Sequence, residues 1–339
     1  MKTILITGGS GFIGSHFIHY ILSNYPDYTF VNLDKLTYAH CDDHLASIQQ
    51  HNRYTFIEGD ICDQTLVKSL FEQYQFQGVF HFAAESHVDN SISGPEIFID
   101  TNIKGTYNLI HAAKELWMSS PFNVKELFKD ARFHHISTDE VYGSLGPTGA
   151  FSETTAYAPN SPYSASKASS DFIVRSYHHT FGLNITISNC SNNYGPHQHD
   201  EKLIPTVIRN AINHNPIPIY GDGKNIRDWL YVEDHASAIC AIFDKGKAGD
   251  TYNIGTKNEQ TNIDLCHLIC SILDKLKPSS TLGSYTELIT FVKDRPGHDQ
   301  RYAIDSSKIE TELGWSAQAD FNTHLTHTLQ FYIDKYAAN

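Results

Sequence analysis

The chain has 339 residues, 40% of them hydrophobic, so it can bury a large core and form one large unit or two intimate domains. Its formal net charge of −13 leaves no broad basic face, which argues against a nucleic-acid or anionic-membrane partner. No stretch approaches the roughly 20 apolar residues of a membrane span, and the N-terminal apolar run is too short for a signal peptide, so we expect a cytoplasmic protein.

A strand, a glycine turn and a helix are predicted at the N terminus. The apolar run at 3–7 leads directly into Gly8, Gly11 and Gly14, and a helical pattern follows. Glycines at this spacing permit a tight turn, close packing of helix on strand, and close approach of the backbone to a pyrophosphate at the helix N-terminus. The segment is therefore typical of dinucleotide binding.

Asp34 ends the next apolar run, 28–33, and follows the last turn glycine at the distance where a ribose-binding carboxylate belongs. Such a carboxylate accepts hydrogen bonds from the adenosine ribose and repels a 2′-phosphate, which favours NAD over NADP. Lys35 beside it counts against that preference.

Apolar runs at 79–82, 133–136 and 185–188 alternate with helical stretches near 98–117 and 163–181. This alternation is typical of a parallel sheet that helices cover on both faces. We therefore predict an α/β fold in which residues 1–190 form a doubly wound, Rossmann-type NAD-binding domain.

The second part of the chain contains shorter elements that glycine and proline interrupt. Helices are predicted near 202–214, 234–245, 262–276 and 319–336, and short strands near 217–220, 250–254 and 288–292. We predict that residues 191–339 form a smaller mixed α/β lobe, with the chain free to cross back between the lobes. This lobe would close the crevice beyond the carboxyl ends of the strands over a substrate.

Three polar residues, Thr138, Asp139 and Glu140, leave the strand predicted at 133–136 at its carboxyl end. They should therefore face the crevice. Two carboxylates whose pKa values differ can act as one acid and one base, which an elimination of water requires. A solvated turn after a strand is the alternative interpretation.

Tyr163 and Lys167 lie four residues apart in a predicted helix, so they share one face and are about 6 Å apart along the helix axis. An ammonium beside a tyrosine hydroxyl favours the phenolate, which can take a proton from an alcohol near neutral pH. A solvated pair has the same spacing, and the glycine turn, Asp34 and the acidic triplet favour the catalytic interpretation.

Six cysteines are scattered along the chain, which predicts reduced thiols rather than a disulfide framework. Cys266 and Cys270 share a helix face and are interpreted as small buried residues. The twenty histidines include close pairs at 134–135, 178–179 and 197–199, but none has a zinc spacing with a third and fourth ligand. No metal site is predicted.

These motifs resemble those of the extended short-chain dehydrogenase/reductase superfamily and, within it, the dTDP-glucose 4,6-dehydratase family. The resemblance covers nearly the whole chain and rests on the segments 82–89, 137–143, 189–196, 226–235 and 294–299. The Thr-Asp-Glu triplet discriminates most, because related sugar-nucleotide epimerases and decarboxylases usually carry other residues there.

The resemblance implies three steps on dTDP-glucose: oxidation at C4 with NAD, loss of water across C5 and C6, and return of the hydride to C6. Tyr163, aided by Lys167 and Thr138, would deprotonate the C4 hydroxyl. Glu140 would remove the C5 proton while Asp139 protonates the departing hydroxyl. The family also implies a homodimer through helices near 98–117 and 163–181, and a 4-keto-6-deoxyglucose product that suggests rhamnose or another deoxysugar for surface polysaccharide.

The resemblance also implies ligand-binding residues. The cofactor positions are Gly8, Gly11, Phe12, Ile13, Gly14, Asp34, Lys35, Leu36, Thr37, Asp60, Ile61, Ala83, Ala84, Thr101, Tyr163, Lys167 and Asn193. The substrate positions are Glu85, Thr138, Asn192, Lys202, Leu203, Pro218, Tyr220, Arg227, Asn262, Arg295 and His298. Guanidinium groups suit a diphosphate, so Arg227 and Arg295 are expected to clamp it. Sheet packing is the alternative for the apolar cofactor positions, and a core aromatic is the alternative for Tyr220.

Three alternatives to this function stay open. A UDP-sugar lacks the methyl group on the base of a dTDP-sugar and has ribose in place of deoxyribose. Recognition of one methyl group contributes only about 1–3 kcal/mol to the preference for one nucleotide. An epimerase or decarboxylase of the same superfamily would share NAD, Tyr163 and Lys167. A non-catalytic NAD-binding regulator would not need both acids and the tyrosine–lysine pair. The segment 142–150 is shorter than in many relatives, which leaves open how it closes over the nucleotide.

Overall fold

The computed structural model describes residues 2–41, 43–294 and 296–337. In chain order the first elements are β1 (Lys2–Thr7), α1 (Phe12–Asn24), β2 (Tyr28–Asp34), β3 (Tyr54–Glu58), α2 (Gln64–Tyr74), β4 (Gly78–His81), α3 (Val88–Ser93), α4 (Glu96–Phe98), a π-helix (Ile99–Gly105), α5 (Thr106–Trp117), β5 (Met118–Ser120), β6 (Asn123–Val124), β7 (Arg132–Thr138) and α6 (Pro162–Phe181).

The remaining elements are β8 (Ile185–Cys190), β9 (Asn192–Tyr194), α7 (Leu203–Ile212), β10 (Ile217–Tyr220), β11 (Ile226–Tyr231), α8 (Val232–Lys245), β12 (Thr251–Ile254), β13 (Glu259–Thr261), α9 (Asn262–Leu276), β14 (Ile289–Val292), α10 (Ser307–Leu313) and α11 (Phe321–Ala337). Short 3₁₀ turns lie at Ala46–Ile48, Glu126–Phe128, Asp139–Tyr142 and Tyr285–Leu288. No helix in the described part of the chain is both long and apolar enough to cross a membrane.

The main sheet has seven parallel strands in the order β12-β8-β7-β4-β1-β2-β3. The strand order reverses between β1 and β4, which opens a crevice at the carboxyl ends of the strands. This topology confirms the predicted doubly wound, Rossmann-type α/β fold.

Helices cover both faces of this sheet because alternate residues of each strand point to opposite sides. In β1, Ile4 and Ile6 belong to a core cluster with Phe17 of α1 and Ile239 of α8. Leu5, between them, belongs to the cluster on the other face, where α2, α5 and α6 pack. The two clusters hold the sheet rigid behind the crevice.

Strand β12 comes from the second part of the chain, yet it pairs with β8 at the edge of the main sheet. Helix α8, which precedes it, packs against α1. The sequence predicted a strand near 250–254 without its partner, because an apolar run of four residues carries no signal for the strand beside which it lies. The chain therefore crosses back, and the division into 1–190 and 191–339 stays a prediction.

The smaller lobe has a core of α7, α9 and α11, to which Trp229, Leu265 and Leu329 contribute. Its strands form a three-stranded sheet, β13-β11-β9, and a parallel pair, β10-β14. The helices and strands that the sequence predicted between residues 191 and 339 are present, but α8 packs on α1 and β12 joins the main sheet instead of the smaller lobe. Strands β9, β11 and β13 and helix α10 were not predicted.

Candidate active site

The main cavity, of about 320 Å³, lies at the carboxyl ends of β1, β2, β4, β7 and β8. Residues at the end of each of these five strands, or just after it, form the cavity wall, including Gly8, Asp34, Ala83, Asp139 and Cys190. The cavity therefore occupies the crevice that the reversal of strand order creates.

The glycine turn between β1 and α1 forms one end of the cavity. Gly8 has a φ of +72°, and a Cβ atom there would lie 2.5 Å from the amide nitrogen of Ala83. A Cβ atom on Gly14 would lie 2.3 Å from the carbonyl oxygen of Gly8. Gly11 caps α1 without a side-chain hydrogen bond, so the amide groups of the first turn are left for a ligand. The turn fits the diphosphate of a dinucleotide.

Asp34, at the end of β2, is fixed by backbone amides. Its Oδ2 accepts a hydrogen bond of 2.9 Å from the amide of Ser10, and its Oδ1 accepts one of 2.9 Å from the amide of Leu36. Burial raises the pKa of Asp34, although these amides oppose the shift. The neighbouring Lys35 lies 3.1 Å from Oδ2 of Asp60. That carboxylate balances the positive charge that would attract a 2′-phosphate.

Five buried polar atoms of the cavity wall lack a hydrogen-bond partner within the described residues: Oγ1 of Thr101, Oδ2 of Asp139, Oγ of Ser191, Oδ1 of Asn192 and Oε1 of Gln198. Buried polar groups almost always have a partner in a folded protein. Their shared position at the cavity indicates that their partner is a ligand with several polar groups, such as a dinucleotide or a sugar.

The Thr-Asp-Glu triplet begins at the end of β7 and enters a 3₁₀ turn, where Oγ1 of Thr138 accepts a hydrogen bond from the amide of Glu140. The side chain of Asp139 is buried, and burial together with the neighbouring Glu140 raises its pKa well above the usual range. This shift favours the protonated form of Asp139, which can donate a proton. Glu140 is half-buried and lines the cavity.

Helix α6 starts sharply because Ser161 forms a capping box and Pro162 occupies the first helical position. This start places Tyr163 and Lys167 on one buried face at the cavity. The ammonium of Lys167 donates a hydrogen bond of 2.8 Å to the carbonyl oxygen of Ile136.

The pKa of Tyr163 does not follow the expectation that Lys167 favours the phenolate. Burial and the nearby charge of Glu140 raise the pKa of Tyr163 well above its usual value, while a hydrogen bond with Thr138 lowers it. Burial also lowers the pKa of Lys167. In the chain alone, desolvation and the acidic neighbour outweigh the ammonium, so Tyr163 carries its proton.

The cavity brings together most of the predicted residues. Those that line it are Gly8, Gly11, Phe12, Ile13, Gly14, Asp34, Lys35, Thr37, Asp60, Ile61, Ala83, Ala84, Glu85, Thr101, Thr138, Asp139, Glu140, Tyr163, Lys167, Asn192, Asn193 and Lys202. Seven other predicted residues are described but do not line it, namely Leu36, Leu203, Pro218, Tyr220, Arg227, Asn262 and His298. Arg295 lies outside the described residues.

Arg227, on β11, links the smaller lobe electrostatically to Asp139. Its guanidinium donates hydrogen bonds to the carbonyl oxygens of Ile226 and Asp299, at 2.7 and 2.9 Å, and lies 4.2 Å from the ring centroid of Tyr302. Its positive charge lowers the pKa of Asp139 and so acts on the site from outside the cavity wall. Tyr220 is 42% exposed, so the alternative that it is a core aromatic is wrong, and its substrate role stays a prediction.

Asn102, in the π-helix, is a site residue that the sequence did not indicate. Its Oδ1 accepts a hydrogen bond of 2.8 Å from the amide of Glu85, and its Nδ2 donates to the carbonyl oxygen of Glu85 and to Oγ of Ser166. The side chain thus fixes the loop after β4 against α6. The available signal was a polar pair, Thr101 and Asn102, inside a predicted amphipathic helix.

Histidine and cysteine side chains have structural surroundings. No set of three or more His, Cys, Asp or Glu side chains in the described ranges is arranged to hold a metal ion. His134 and His135 are buried in β7 and contact hydroxyl groups of neighbouring elements. All six cysteines are free, and Cys266 and Cys270 are buried in the smaller lobe as predicted.

Comparison with known proteins gives consistent matches. Residues 5–328 match the protein family described as GDP-mannose 4,6 dehydratase. A dTDP-glucose 4,6-dehydratase of Salmonella typhimurium is 53% identical over 339 aligned residues, which cover 97% of this chain and 92% of the relative.

Two solved structures are similar over almost their full length. The dTDP-glucose 4,6-dehydratase of Bacillus anthracis in complex with NAD has a TM-score of 0.86 and 41% identity, with 99% of this chain and 98% of that chain covered. The dTDP-glucose 4,6-dehydratase of Streptomyces venezuelae with NAD and TYD bound has a TM-score of 0.89 and 40% identity, with the same coverage.

Proposed function

The chain belongs to the dTDP-glucose 4,6-dehydratases of the extended short-chain dehydrogenase/reductase superfamily, and we infer from this that it is a hydro-lyase that dehydrates dTDP-D-glucose with NAD as cofactor. The product is dTDP-4-keto-6-deoxy-D-glucose. The observation that carries this function is that Asp139 and Glu140 line the same cavity as Tyr163 and Lys167.

We propose that the residues of the glycine turn, Asp34 and Thr101 hold the cofactor. The free amides at the start of α1 suit its diphosphate, and the carboxylate of Asp34 still has lone pairs for ribose hydroxyls. When bound, NAD supplies a hydride acceptor at C4 of the sugar and, once reduced, a hydride donor at C6.

Tyr163 is proposed as the base that takes the proton of the C4 hydroxyl. Thr138 supports this role because its hydroxyl forms a hydrogen bond with Tyr163 that favours the phenolate. The ammonium of Lys167 supplies a positive charge on the same helix face, held in place by the carbonyl oxygen of Ile136. Both groups are buried, so their interaction is screened little by water.

The two acids are proposed to share the elimination of water. Asp139 is buried and its pKa is raised, which suits a general acid for the C6 hydroxyl as it leaves. Glu140 reaches the cavity and is proposed to take the proton from C5, which the C4 ketone has made acidic. After hydride return to C6, Glu140 would give a proton back to C5.

We propose that the sugar lies beside Glu85 and Asn192, which line the cavity, and that Lys202 and Arg227 bind the diphosphate. The ammonium of Lys202 is near the cavity and 3.3 Å from the carbonyl oxygen of Ser86. The positive charge of Arg227 reaches Asp139 from the smaller lobe, which supports a position of Arg227 beside the bound substrate. Arg295 stays a prediction as the second half of this clamp.

A homodimer is proposed through the helical segments near 98–117 and 163–181. Large apolar side chains on these segments are exposed, with Ile99 at 55%, Tyr107 at 39% and Phe172 at 56%. Burial of such side chains against a second copy is favourable. A role in rhamnose or another deoxysugar pathway and a cytoplasmic location stay predictions.

The purified protein, incubated with dTDP-glucose or UDP-glucose without added reductant, tests this function. We expect the alkali-induced absorbance of a 4-keto-6-deoxy product with dTDP-glucose. A signal with UDP-glucose alone would keep the chemistry and overturn the nucleotide. Silence with both sugars would contradict the dehydration itself.

A further inference from the structure

Helix α6 carries a third ionisable residue on the face of Tyr163 and Lys167. Asp171 follows Lys167 by four residues, so the three side chains occupy successive turns of one helix face. Their relative exposures are 8%, 4% and 0%. The carboxyl group of Asp171 lies away from the cavity wall and faces the body of the sheet.

The carboxyl group of Asp171 is held by hydroxyl groups from two other segments. Its Oδ2 accepts hydrogen bonds of 2.9 Å from Oγ of Ser137 and 2.9 Å from the hydroxyl of Tyr157. Arg175 donates to that same tyrosine hydroxyl at 2.9 Å, one turn further along α6. The carboxylate therefore has a fixed position, with donors arranged to stabilise its charged form.

Lys167 needs a counter-ion because an ammonium in a dry interior is costly without one. Asp171 supplies the main negative charge that favours the protonated lysine, and Lys167 in turn favours the ionised carboxylate. Besides Tyr157 and Arg175, the titratable groups that face the pair are His81 on β4, His135 on β7, Cys190 on β8 and Tyr142 in the 3₁₀ turn. Of these, His135 is in direct contact, with its Nε2 at 3.1 Å from Oδ1 of Asp171.

These other groups do not replace the carboxylate. Burial holds the pKa values of His81 and His135 well below their usual value, so both imidazoles are neutral. Burial raises the pKa of Cys190 to about 12, so its thiol is neutral as well. Asp171 is thus the group whose charge matches that of Lys167.

We propose that Asp171 is a positioning residue that keeps Lys167 charged, and thereby keeps Tyr163 able to act as the base for C4 oxidation. This proposal rests on the proposed function. Asp171 would thus act along one helix face, from outside the cavity, on Lys167 and through it on Tyr163, which lines the cavity. Asp171 itself takes no part in proton transfer with the substrate.

The titration of Asp171 gives the proposal a measurable signature. Burial raises the pKa of Asp171 to about 6, against the opposing effects of Lys167, Ser137 and Tyr157. Above that pH the carboxylate is charged and supports Lys167, and below it the neutral acid resembles an asparagine side chain. The benefit of Asp171 should therefore vanish as the pH falls through this pKa.

The test compares kcat of the wild type and Asp171→Asn from pH 5 to pH 9 with saturating dTDP-glucose. We expect the variant to be about tenfold or more slower above pH 7, since an opposite charge shifts a pKa by about 1–3 units. The ratio of the two kcat values should fall toward one below pH 6, with KM and bound NAD unchanged. Groups that titrate in both proteins cancel in this ratio.

A second variant covers the case in which Asp171→Asn does not fold. Tyr157→Phe removes one hydroxyl donor but keeps the charge of Asp171. We expect its kcat at pH 8 to be unchanged and the acid limb of its profile to move to higher pH. Tyr25→Phe is the matched control, because it removes a hydroxyl that donates to Asp244, remote from α6.

A ratio of kcat values that is independent of pH would overturn the role of Asp171, as would an acid limb that Tyr157→Phe leaves in place. Loss of thermal stability with normal kcat and pH profile in the folded enzyme would assign Asp171 to structure alone and also overturn the proposal. A wild-type protein that makes no 4-keto product would instead overturn the proposed function, and this inference with it.

Discussion

Asp139 and Glu140 are neighbours in the chain and line the same cavity, yet Asp139 is 2% exposed, while Glu140 is half-buried. The 3₁₀ turn that Thr138 caps separates their directions. Burial raises the pKa of Asp139 and so suits it to donate a proton, whereas the more exposed Glu140 is the residue that we propose as the base.

We predict that Asp139→Asn and Glu140→Gln each lower the rate of product formation by about 10²–10⁴-fold, the usual contribution of a general acid or base. Both variants should still bind NAD and oxidise C4, because neither residue belongs to the proposed oxidation step. The near-ultraviolet absorbance of reduced cofactor should therefore accumulate on the enzyme. Asp130→Asn, at an exposed carboxylate before β7, is the control. Normal dehydration in both variants would contradict the proposed roles.

Asp34→Ala should weaken NAD binding by roughly tenfold to a hundredfold, because hydrogen bonds to a charged group contribute about 1.5–3 kcal/mol. Discrimination against NADP should fall as well, since the carboxylate that repels a 2′-phosphate is gone. Titration of cofactor-free protein with both nucleotides measures the change. The exposed Asp27→Asn serves as the control and should leave both affinities unchanged.

The glycine turn offers a matched pair of substitutions. Gly14→Ala places a Cβ atom 2.3 Å from the backbone oxygen of Gly8, so it should lower the free energy of unfolding by about 1–3 kcal/mol or more. Gly11→Ala meets no atom closer than 3.4 Å, and it should lower that free energy by less than about 1 kcal/mol while weakening NAD binding. Urea unfolding of cofactor-free protein separates the two effects. Equal destabilisation by both substitutions would contradict this assignment.

The proposed dimer depends on an apolar face of α6. Phe172→Glu should convert the protein from a dimer to a monomer, because a carboxylate cannot be buried without a partner. Light scattering after gel filtration measures the mass. Phe291→Glu is a close control, since Phe291 is 60% exposed on β14 and outside the proposed interface. A wild-type protein that is monomeric at all concentrations would exclude this interface.

Much of the main sheet could be predicted because its strands are buried on both faces and appear as apolar runs. β11 was not predicted, because charged residues interrupt its apolar pattern. Its Arg227 and Asp228 look like a solvated loop in the sequence, but both side chains are buried. Asp228 accepts hydrogen bonds from the backbone amides of Thr256 and Asn258. These partners lie 28 and 30 residues after Asp228, and those of Arg227 include the carbonyl oxygen of Asp299, 72 residues away, so no local pattern reveals them.

Some cavity residues have a local signal in the sequence, and others do not. Gly8, Asp34 and Tyr163 follow from spacing within a strand–turn–helix unit or along one helix. The loop residues His199 and Glu201, which also line the cavity, were not predicted. They reach it because β9 and β11 pair and bring the following loop over the crevice. A contact of this kind depends on tertiary packing, so the hydrophobic periodicity of the sequence does not predict it.

The return of β12 to the edge of the main sheet has a consequence for synthesis on the ribosome. β8 ends at residue 190, and its outer partner begins at residue 251. At a synthesis rate of about 5–20 residues per second, roughly 3–12 seconds separate the two strands. During this interval the nascent sheet exposes the hydrogen-bonding edge of β8, a site for pairing with another chain. The main sheet therefore cannot be completed until much of the smaller lobe has been synthesised. The two lobes must fold together rather than one after the other.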